Sequence, residues 1–371
     1  MSNLFTNFIE IETPALIIEQ SRMMSNLHRM QKICDEAGIN LRPHTKTHKT
    51  PELAKIQQKL GATGIAVAKL GEAEVMADSG FSDIQIANII VGETKLRRLV
   101  ELHKRIDRIT CTVDSFAAAK GIAEAFIQSG RVMEIFIEIN SGLNRSGLSD
   151  YGDIADLAEF INGTEGIALA GILTHAGQAY FAQDIEEVKE IGTHEGEFMV
   201  GIASQLRSDG YEVNTVSVGS TPTAPYSSQI KGVDELRPGN YIFYDVIQSS
   251  LGACTIDDCA LSVLATVIGK PAMDRAIIDA GAKALALDKI TNPNSQFSGH
   301  GYINDKNAVI ARVSEEHGIM IHQGEVFRIG EKLRIIPNHV CVVMNLFDKV
   351  YLVDGDKVID EYIIQARGKS Q

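Results

Sequence analysis

The segment Ile39-Asn-Leu-Arg-Pro-His-Thr-Lys-Thr-His-Lys49 joins a short apolar run to a basic loop. Its first three residues can form a short buried strand, because the helical pattern of residues 23–37 stops at Gly38 just before them. A segment with two lysines, two histidines and an arginine follows directly. Loops at the C-terminal ends of strands carry the chemistry in α/β proteins. The stretch therefore predicts an α/β protein with a reaction site at a strand end.

Within this segment Lys46 is the candidate nucleophile. Neighbouring cations and partial burial disfavour the ammonium form of a lysine, which leaves a neutral amine that can condense with a carbonyl group. We prefer Lys46 to Lys49, since Lys46 lies nearer the strand end, whereas Lys49 precedes Thr50 and Pro51, which suit the start of a helix. On this segment alone, a solvated basic turn or an anion site for phosphate or nucleic acid is an equal alternative.

Short β-rich runs and longer amphipathic segments alternate from residue 14 to about residue 245. This alternation predicts a parallel sheet with crossover helices. The candidate strands are residues 15–18, 39–41, 63–68, 84–87, 108–113, 134–139, 168–174, 213–218 and 241–244. The predicted helices include residues 23–37, 72–79, 95–104, 115–129 and 185–208. Nine strands are one more than a (β/α)8 barrel needs, yet the spacing suits such a barrel.

The pattern changes after about residue 255, where β-branched runs occur without long helices. Glycine, proline and aspartate residues between the runs predict turns. This part of the chain therefore predicts an all-β domain. Its candidate strands are residues 261–267, 275–279, 308–313, 333–336, 340–344, 349–353 and 358–364.

Composition limits the class of protein. Apolar residues make up 44 % and charged residues 22 % of the 371 residues, which is typical of a soluble globular protein with about two domains. No apolar run approaches the ~20 residues of a membrane span, and the first residues lack the features of a signal peptide, so we expect a cytoplasmic protein. The net charge of -13 disfavours nucleic acid as a partner. Five cysteines without CxxC spacing argue against a disulfide framework.

Polar clusters follow two of the predicted strands. Arg145 lies on a glycine-containing loop after residues 134–139, where its guanidinium could donate to a phenolate oxygen or a carboxylate. His175 and Tyr180 follow residues 168–174 and could stack on a ring or handle protons. The alternatives are an exposed loop arginine and two hydrogen-bonded structural residues.

Gly219-Ser-Thr-Pro-Thr223 follows the predicted strand 213–218 and has the features of an anion cradle. Backbone amides and hydroxyl groups at Gly219, Ser220 and Thr221 could bind a phosphate, as late loops of barrels often do. The same sequence is also an ordinary turn. Further along, Arg237 could face a ring nitrogen, whereas the aromatic residues of 241–244 suit the core or a domain interface.

His339 and Cys341 are two residues apart on the predicted strand at 340–344, so both side chains should project from one face. Imidazole and thiolate together suit zinc. Two protein ligands suit a site that water or substrate completes. An accidental His-x-Cys is the more frequent origin of such a pair.

Taken in order, the motifs resemble one family. They are Pro-His-x-Lys-x-His-Lys, Asn-Arg-Ser-Gly, His-Ala-Gly-Gln-Ala-Tyr, Gly-Ser-Thr-Pro-Thr, Arg-Pro-Gly-Asn-Tyr and Pro-Asn-His-Val-Cys. From about Thr13 to Ala366 the chain resembles the D-threonine aldolase and eukaryotic-type D-serine dehydratase family of pyridoxal-phosphate enzymes. The resemblance implies an alanine-racemase-like fold, in which a TIM-like (β/α)8 barrel precedes a C-terminal all-β domain. Residues 39–41 then open the barrel, and we expect a barrel over 13–245 and a β domain over 1–12 and 246–371.

The resemblance also implies roles for the candidate residues. Lys46 would bind pyridoxal phosphate covalently, and Arg145 would approach its phenolate oxygen. The other residues expected to bind this cofactor are His175, Tyr180, Gly219, Ser220, Thr221 and Arg237, with 219–221 at the phosphate. His339 and Cys341 match the family's metal pair. Aldolase members commonly have His-x-Asp here and dehydratase members His-x-Cys with zinc, so the resemblance favours β-elimination and Zn²⁺, with Mn²⁺ as the alternative metal.

We therefore expect a lyase on D-β-hydroxy amino acids. The preferred prediction is a dehydratase that converts D-serine or D-threo-3-hydroxyaspartate to a 2-oxo acid and ammonia. A D-threonine aldolase, which releases glycine and an aldehyde, would share the cofactor, metal and substrate class. An amino-acid racemase would need a second base, which the sequence does not identify. A non-catalytic pyridoxal-phosphate carrier would not need a metal pair. The resemblance also implies a homodimer.

Overall fold

Strands and helices alternate along the first 250 residues of the computed structural model, which describes residues 7–290, 292, 294–321 and 327–371. The strands in this part are β1 (Ala15–Glu19), β2 (Asn40–Leu41), β3 (Ile65–Val67), β4 (Asp83–Ile89), β5 (Arg108–Val113), β6 (Met133–Glu138), β7 (Ile167–Leu173), β8 (Thr215–Val218) and β9 (Glu235–Leu236). The helices are α1 (Gln20–Ala37), α2 (Pro51–Lys59), α3 (Leu70–Asp78), α4 (Glu93–His103), α5 (Phe116–Ser129), α6 (Tyr151–Asn162), α7 (Ile185–Ser208), α8 (Ala224–Ser227) and α9 (Val246–Ser250).

Eight of these strands form a parallel barrel in the order β2-β9-β8-β7-β6-β5-β4-β3. Backbone hydrogen bonds close it between β2 and β3, since Thr63 N donates to Leu41 O (3.0 Å) and Ala66 N donates to Pro43 O (2.9 Å). The long helices bury their apolar faces against the strands in one hydrophobic core. The predicted (β/α)8 barrel is confirmed.

One predicted barrel strand is wrong. The eighth strand is β9, and residues 241–244 comprise the end of the 3-10 helix Asn240–Ile242 and a turn instead. Pro238 ends β9 because it has no N–H for the ladder, and Tyr244 takes a φ of 49°, which no strand residue adopts. Tyr241 is buried, so the aromatic pattern of this segment reflects core packing rather than a pleated strand.

The rest of the chain is built mainly from antiparallel strands. They are β10 (Leu261–Ala272), β11 (Arg275–Ile278), β12 (Tyr302–Ile303), β13 (Ala308–Val313), β14 (Gly318–Ile321), β15 (Lys332–Ile335), β16 (Lys349–Asp354) and β17 (Lys357–Ile363), with the short helices α10 (Ala282–Leu285) and α11 (Val340–Met344). The sheet order is β12-β13-β14-β11-β10-β1-β16-β17, and β15 also pairs with β10. The C-terminal all-β domain that the sequence predicts is therefore present.

β1 belongs to this second sheet. It pairs antiparallel with β10 and parallel with β16. Residues 15–19 thus lie in the β domain, beyond the predicted boundary at residue 13, because five successive buried residues of β1 fit between two strands of that sheet. The chain enters the barrel only after α1.

A second predicted strand, residues 340–344, is the short helix α11. The helix begins there because the buried carboxylate of Asp245 accepts a hydrogen bond from Val340 N (3.0 Å) and so satisfies a first-turn amide. The β-branched residues of α11 pack into the core, where burial outweighs strand propensity. His339 precedes the helix and Cys341 lies in its first turn.

No helix within the described residues is both long enough and apolar enough to cross a membrane. The carboxyl ends of the barrel strands lie against the β domain, and α11 contacts the turn Thr45–Thr47 that follows β2. A cavity lies at this junction between the two sheets.

Candidate active site

The cavity has a volume of about 430 Å³, within the usual range for small-molecule sites. Its walls come from loops after barrel strands and from the β domain. All ten residues that the sequence singles out line it, namely Lys46, Arg145, His175, Tyr180, Gly219, Ser220, Thr221, Arg237, His339 and Cys341. The structure thus brings residues from distant parts of the chain to one place.

Lys46 lies in the 3-10 turn Thr45–Thr47, directly after β2. His44 caps this turn, and its Nδ1 accepts a weak hydrogen bond from Lys46 N (3.4 Å). Burial lowers the pKa of Lys46, and the charges of Arg145 and Arg237 lower it further, against the opposite effects of Cys341 and Glu72. The neutral amine that a nucleophilic lysine needs is therefore favoured.

Lys49 is occupied elsewhere. Its Nζ lies 2.9 Å from Asn345 Oδ1 and 3.2 Å from Glu72 Oε1, and it does not line the cavity. Thr50 and Pro51 start α2, so Lys49 precedes the helix cap. Lys46 therefore lines the cavity, whereas Lys49 has a structural role.

The loop Gly219–Thr221 rests on a buried carboxylate. Glu195 of α7 accepts hydrogen bonds from Gly219 N (2.9 Å) and from Thr223 Oγ1 (3.0 Å). Gly219 has a φ of 114°, which favours glycine at the start of the loop. Thr221 Oγ1 accepts from Tyr241 N (3.2 Å), which fixes the other end of the loop. Ser220 and Thr221 line the cavity and carry hydroxyl groups, whereas the backbone amides of Gly219 and Ser220 donate to Glu195 and to Thr223.

Arg145 and His175 line neighbouring parts of the wall. The Arg145 guanidinium lies 3.7 Å from Glu138 Oε1 and its side chain is 56 % exposed, so most of its donors can reach a ligand. Burial, with the charges of Lys46 and Arg145, lowers the pKa of His175 to about 3. His175 is thus a neutral imidazole at physiological pH. Burial also raises the pKa of Tyr180, which stays a phenol.

Arg237 is held at the end of a buried chain of polar contacts. Its guanidinium donates to Ser217 Oγ and to Thr174 O. Ser217 Oγ in turn donates to Glu235 Oε1 (2.6 Å), and Arg42 Nε donates to Glu235 Oε2 (2.6 Å). This chain fixes the orientation of Arg237 from inside the barrel.

His339 and Cys341 lie together on the β-domain side of the cavity. Asp288 Oδ1 is 2.8 Å from His339 Nδ1, the side chains of His339 and Cys341 share a hydrogen bond, and Cys341 Sγ is 3.3 Å from Thr47 Oγ1. Burial opposes the charged imidazole, yet Cys341 and Asp288 raise the pKa of His339 to about 11. Burial likewise opposes the thiolate, but His339 and Thr47 lower the pKa of Cys341. Carboxylate-oriented imidazole beside thiolate is a donor set that suits zinc.

Within the described residues no group of three or more His, Cys, Asp and Glu side chains could hold a metal ion. A metal on His339 and Cys341 would therefore take further ligands from water or substrate, as the sequence predicts for this pair.

The sequence reasoning missed several cavity residues. Asp288 and Asp245 carry no motif, although Asp245 immediately precedes a short apolar helix and so has the position of a cap. His44 lies in the quoted basic segment, and burial lowers its pKa well below the ordinary value. Glu195 supports the loop Gly219–Thr221 without lining the cavity, and it lies inside the long helix α7, where one buried carboxylate among exposed ones cannot be distinguished by pattern.

Comparison with known proteins agrees with this geometry. Residues 18–246 match the alanine racemase N-terminal domain, and residues 260–353 match a serine dehydratase domain. The chain is 38 % identical to the D-threo-3-hydroxyaspartate dehydratase of Delftia sp. (strain HT23), over 90 % of this chain and 92 % of that protein. It is 32 % identical to a D-threonine aldolase of Arthrobacter sp, over 97 % and 94 %.

Solved structures show the same fold. A D-threonine aldolase from Filomicrobium marinum superimposes with a TM-score of 0.93 at 29 % identity, covering 100 % of both chains. A D-threo-3-hydroxyaspartate dehydratase variant in its metal-free form superimposes with a TM-score of 0.90 at 33 % identity, covering 97 % of this chain and 99 % of that chain. The predicted alanine-racemase-like architecture is confirmed.

Proposed function

Because this chain belongs to the family that joins an alanine racemase N-terminal domain to a serine dehydratase domain, we propose that it is a pyridoxal-phosphate-dependent lyase on D-β-hydroxy amino acids, acting as a dehydratase. One observation carries the proposal: Lys46 from the barrel and the His339–Cys341 pair from the β domain face the same cavity. An amine nucleophile and a zinc-type donor pair can then act on one small molecule.

The cavity fits pyridoxal phosphate. Lys46 supplies the amine for its aldehyde, and Ser220 and Thr221 present hydroxyl groups for its phosphate. Asn240 Oδ1 is buried in the cavity wall and accepts no hydrogen bond from any described residue, so it can accept one from a bound ligand. The cofactor, when bound, supplies an electron sink that weakens the bonds to the substrate's α-carbon.

Lys46 is the residue that moves the α-proton. Its Nζ lies in a buried, cationic environment, so the neutral amine can accept this proton and return it. Arg145 keeps donors free for an anionic oxygen, while the neutral His175 and the phenol of Tyr180 complete the wall. Arg237, whose guanidinium donates to Ser217 Oγ, would line the pyridine ring of the bound cofactor.

His339 Nε2 and Cys341 Sγ are the proposed metal ligands, with Zn²⁺ first and Mn²⁺ as the alternative. The metal, when bound, supplies Lewis acidity at the substrate's β-hydroxyl. Asp288 orients His339 through Nδ1 (2.8 Å), and Thr47 contacts the Cys341 sulfur. Both ligands are thus fixed before any substrate enters.

The pair His339-x-Cys341 matches the pattern of the family's dehydratase members, and this favours elimination over carbon–carbon cleavage. The dehydratase relative at 38 % identity agrees with this choice. Aldolase activity is the second candidate, because an aldolase superimposes with a TM-score of 0.93. The two reactions share the cofactor and the substrate class and differ in the bond that breaks.

Product analysis tests the proposal. The purified holoenzyme is incubated separately with D-serine and D-threonine, and its products are identified. We expect pyruvate and ammonia from D-serine and 2-oxobutanoate and ammonia from D-threonine. Glycine with acetaldehyde from D-threonine would identify an aldolase, and L-isomers would identify a racemase. Absence of turnover of these two substrates and of D-threo-3-hydroxyaspartate would indicate a carrier.

The homodimer and the cytoplasmic location that the sequence predicts stay predictions. Light scattering of the purified holoenzyme tests the first of them.

A further inference from the structure

Lys289 lines the cavity on the side of the metal pair and has no role in the function proposed above. It is an exposed residue that follows Asp288, whose Oδ1 lies 2.8 Å from His339 Nδ1. The ammonium group is therefore carried by the same wall that carries His339.

The backbone around Lys289 is held in place. Asn338 Nδ2 donates to Asp288 O (2.9 Å) and to Gly299 O (2.8 Å), which ties the loop to the residue before His339. On the other side of Lys289, Ile290 packs against the main core. Contacts of the residues on both sides of Lys289 therefore hold its backbone beside the cavity.

The carboxylates that line the cavity are engaged with other groups. Glu138 faces Arg145, Asp288 contacts His339, and Asp245 accepts from Asn240 Nδ2 (2.6 Å), Gln248 N (2.9 Å) and Val340 N (3.0 Å). Lys289 forms no ion pair and no hydrogen bond with any residue that the structure describes. After burial, the charge of Lys289 lowers the pKa of His300, so these two side chains are close enough to interact.

We propose that Lys289 binds a carboxylate on the substrate's β-carbon, so that the enzyme prefers D-β-hydroxy amino acids with a second carboxylate, such as D-threo-3-hydroxyaspartate. This inference rests on the proposed function. A substrate whose β-hydroxyl faces His339 and Cys341 has its β-carbon near this wall, where a β-carboxylate would be within reach of Lys289. A hydrogen there, as in D-serine, leaves Lys289 without a partner, whereas a carboxylate satisfies it.

The test compares two substrates in three variants of the holoenzyme. Lys289→Met removes the charge, Lys289→Arg keeps it, and Lys283→Met is the matched control. Lys283 is on α10 in the same region, where its Nζ contacts Glu316 (2.8 Å) and Glu315 (3.0 Å) outside the cavity. We expect Lys289→Met to lower kcat/KM for D-threo-3-hydroxyaspartate by about tenfold to a hundredfold, the effect of losing a hydrogen bond to a charged group, and to leave D-serine within about threefold. Lys289→Arg should retain most of the preference, and Lys283→Met should change neither substrate.

A binding measurement keeps the test independent of turnover. The dissociation constants of D-aspartate and D-alanine are measured calorimetrically, because they differ only in the β-carboxylate. We expect Lys289→Met to weaken D-aspartate alone. If Lys289→Met lowered kcat/KM equally for both hydroxy substrates, or weakened D-aspartate and D-alanine equally, Lys289 would bind the α-carboxylate and the inference would be overturned. No change in any of these values would overturn it as well. Absence of turnover of both hydroxy substrates by the unaltered enzyme would instead contradict the proposed function, and the ratio of the two dissociation constants would still decide the inference.

Discussion

The position of Lys46 could be predicted from the sequence, whereas its lowered pKa depends on the fold. Its place at the end of β2 follows from the short strand and the basic segment after it. The lowered pKa does not, because burial and the charges of Arg145 and Arg237 act on it from distant parts of the chain. Sequence can therefore single out Lys46 as the proposed nucleophile, whereas only the fold accounts for its lowered pKa.

Replacement of Lys46 by alanine should remove covalent cofactor binding. We expect the absorbance at about 420 nm, a marker of this cofactor's link to lysine, to disappear. Lys49→Ala is the matched control and should retain the band, because Lys49 contacts Glu72 and Asn345 instead of the cavity. Spectra of the two proteins after dialysis against pyridoxal phosphate decide the matter, and an unchanged band in Lys46→Ala would refute the assignment.

The rate of cofactor uptake should depend on pH through Lys46. Since its pKa is lowered, the neutral amine becomes the major form at a pH below the ordinary 10.5, and uptake rises as pH passes the lowered value. Arg145→Met removes a repelling charge, so the ammonium is less disfavoured and the profile should move to higher pH. Stopped-flow growth of the band across pH measures both profiles. A shift to lower pH in the variant would contradict the electrostatic argument.

Two segments show how tertiary contacts override local pattern at the scale of an element. Residues 340–344 have strand composition, yet Asp245 accepts from Val340 N and a helix forms. His339 and Cys341 still line one cavity, so their proximity could be predicted from sequence while their backbone conformation could not, and their role as metal ligands stays a proposal. Residues 241–244 likewise carry an aromatic pattern that core burial explains better than a strand does.

Loss of Asp245 should weaken metal binding by displacing α11. Asp245→Ala leaves Val340 N, Gln248 N and Asn240 Nδ2 without their acceptor. We expect a loss of about 1–3 kcal/mol in the free energy of unfolding and a weaker Zn²⁺ affinity in competition with a chelator. Asp245→Asn retains one acceptor oxygen and should be affected less. Equal Zn²⁺ affinity in all three proteins would show that Asp245 does not position the pair.

The buried pair of Arg42 and Glu235 should stabilise the junction of β2 and β9. Arg42→Met leaves Glu235 buried and uncompensated, which should cost about 3–5 kcal/mol in urea denaturation. Arg108→Met is the control, because Arg108 is 40 % exposed and its ion pair with Glu134 (2.8 Å) should contribute only about 0–1 kcal/mol. Similar losses in both variants would contradict the role assigned to burial.

At the scale of the whole molecule, the alternation of strands and helices and the later β-rich pattern predict both domains. The eighth barrel strand, β9, has only two residues, too few for any periodic signal. The place of β1 depends on pairing with strands more than two hundred residues away, which local pattern does not contain. The cavity lies where these two sheets meet. Asp245 and Asp288, which contact Val340 and His339, can therefore be assigned to the cavity only from the folded chain.

The central claim is that Lys46 and a metal on His339 and Cys341 act together to remove the β-hydroxyl group. Ammonia and oxaloacetate released from D-threo-3-hydroxyaspartate are measured in the holoenzyme, after metal removal with a chelator, and after restoration with Zn²⁺, in parallel with Cys341→Ala. We predict that elimination is lost on chelation, recovers with Zn²⁺, and does not recover in Cys341→Ala. Turnover that is insensitive to the chelator, or glycine and glyoxylate as the products, would contradict the account.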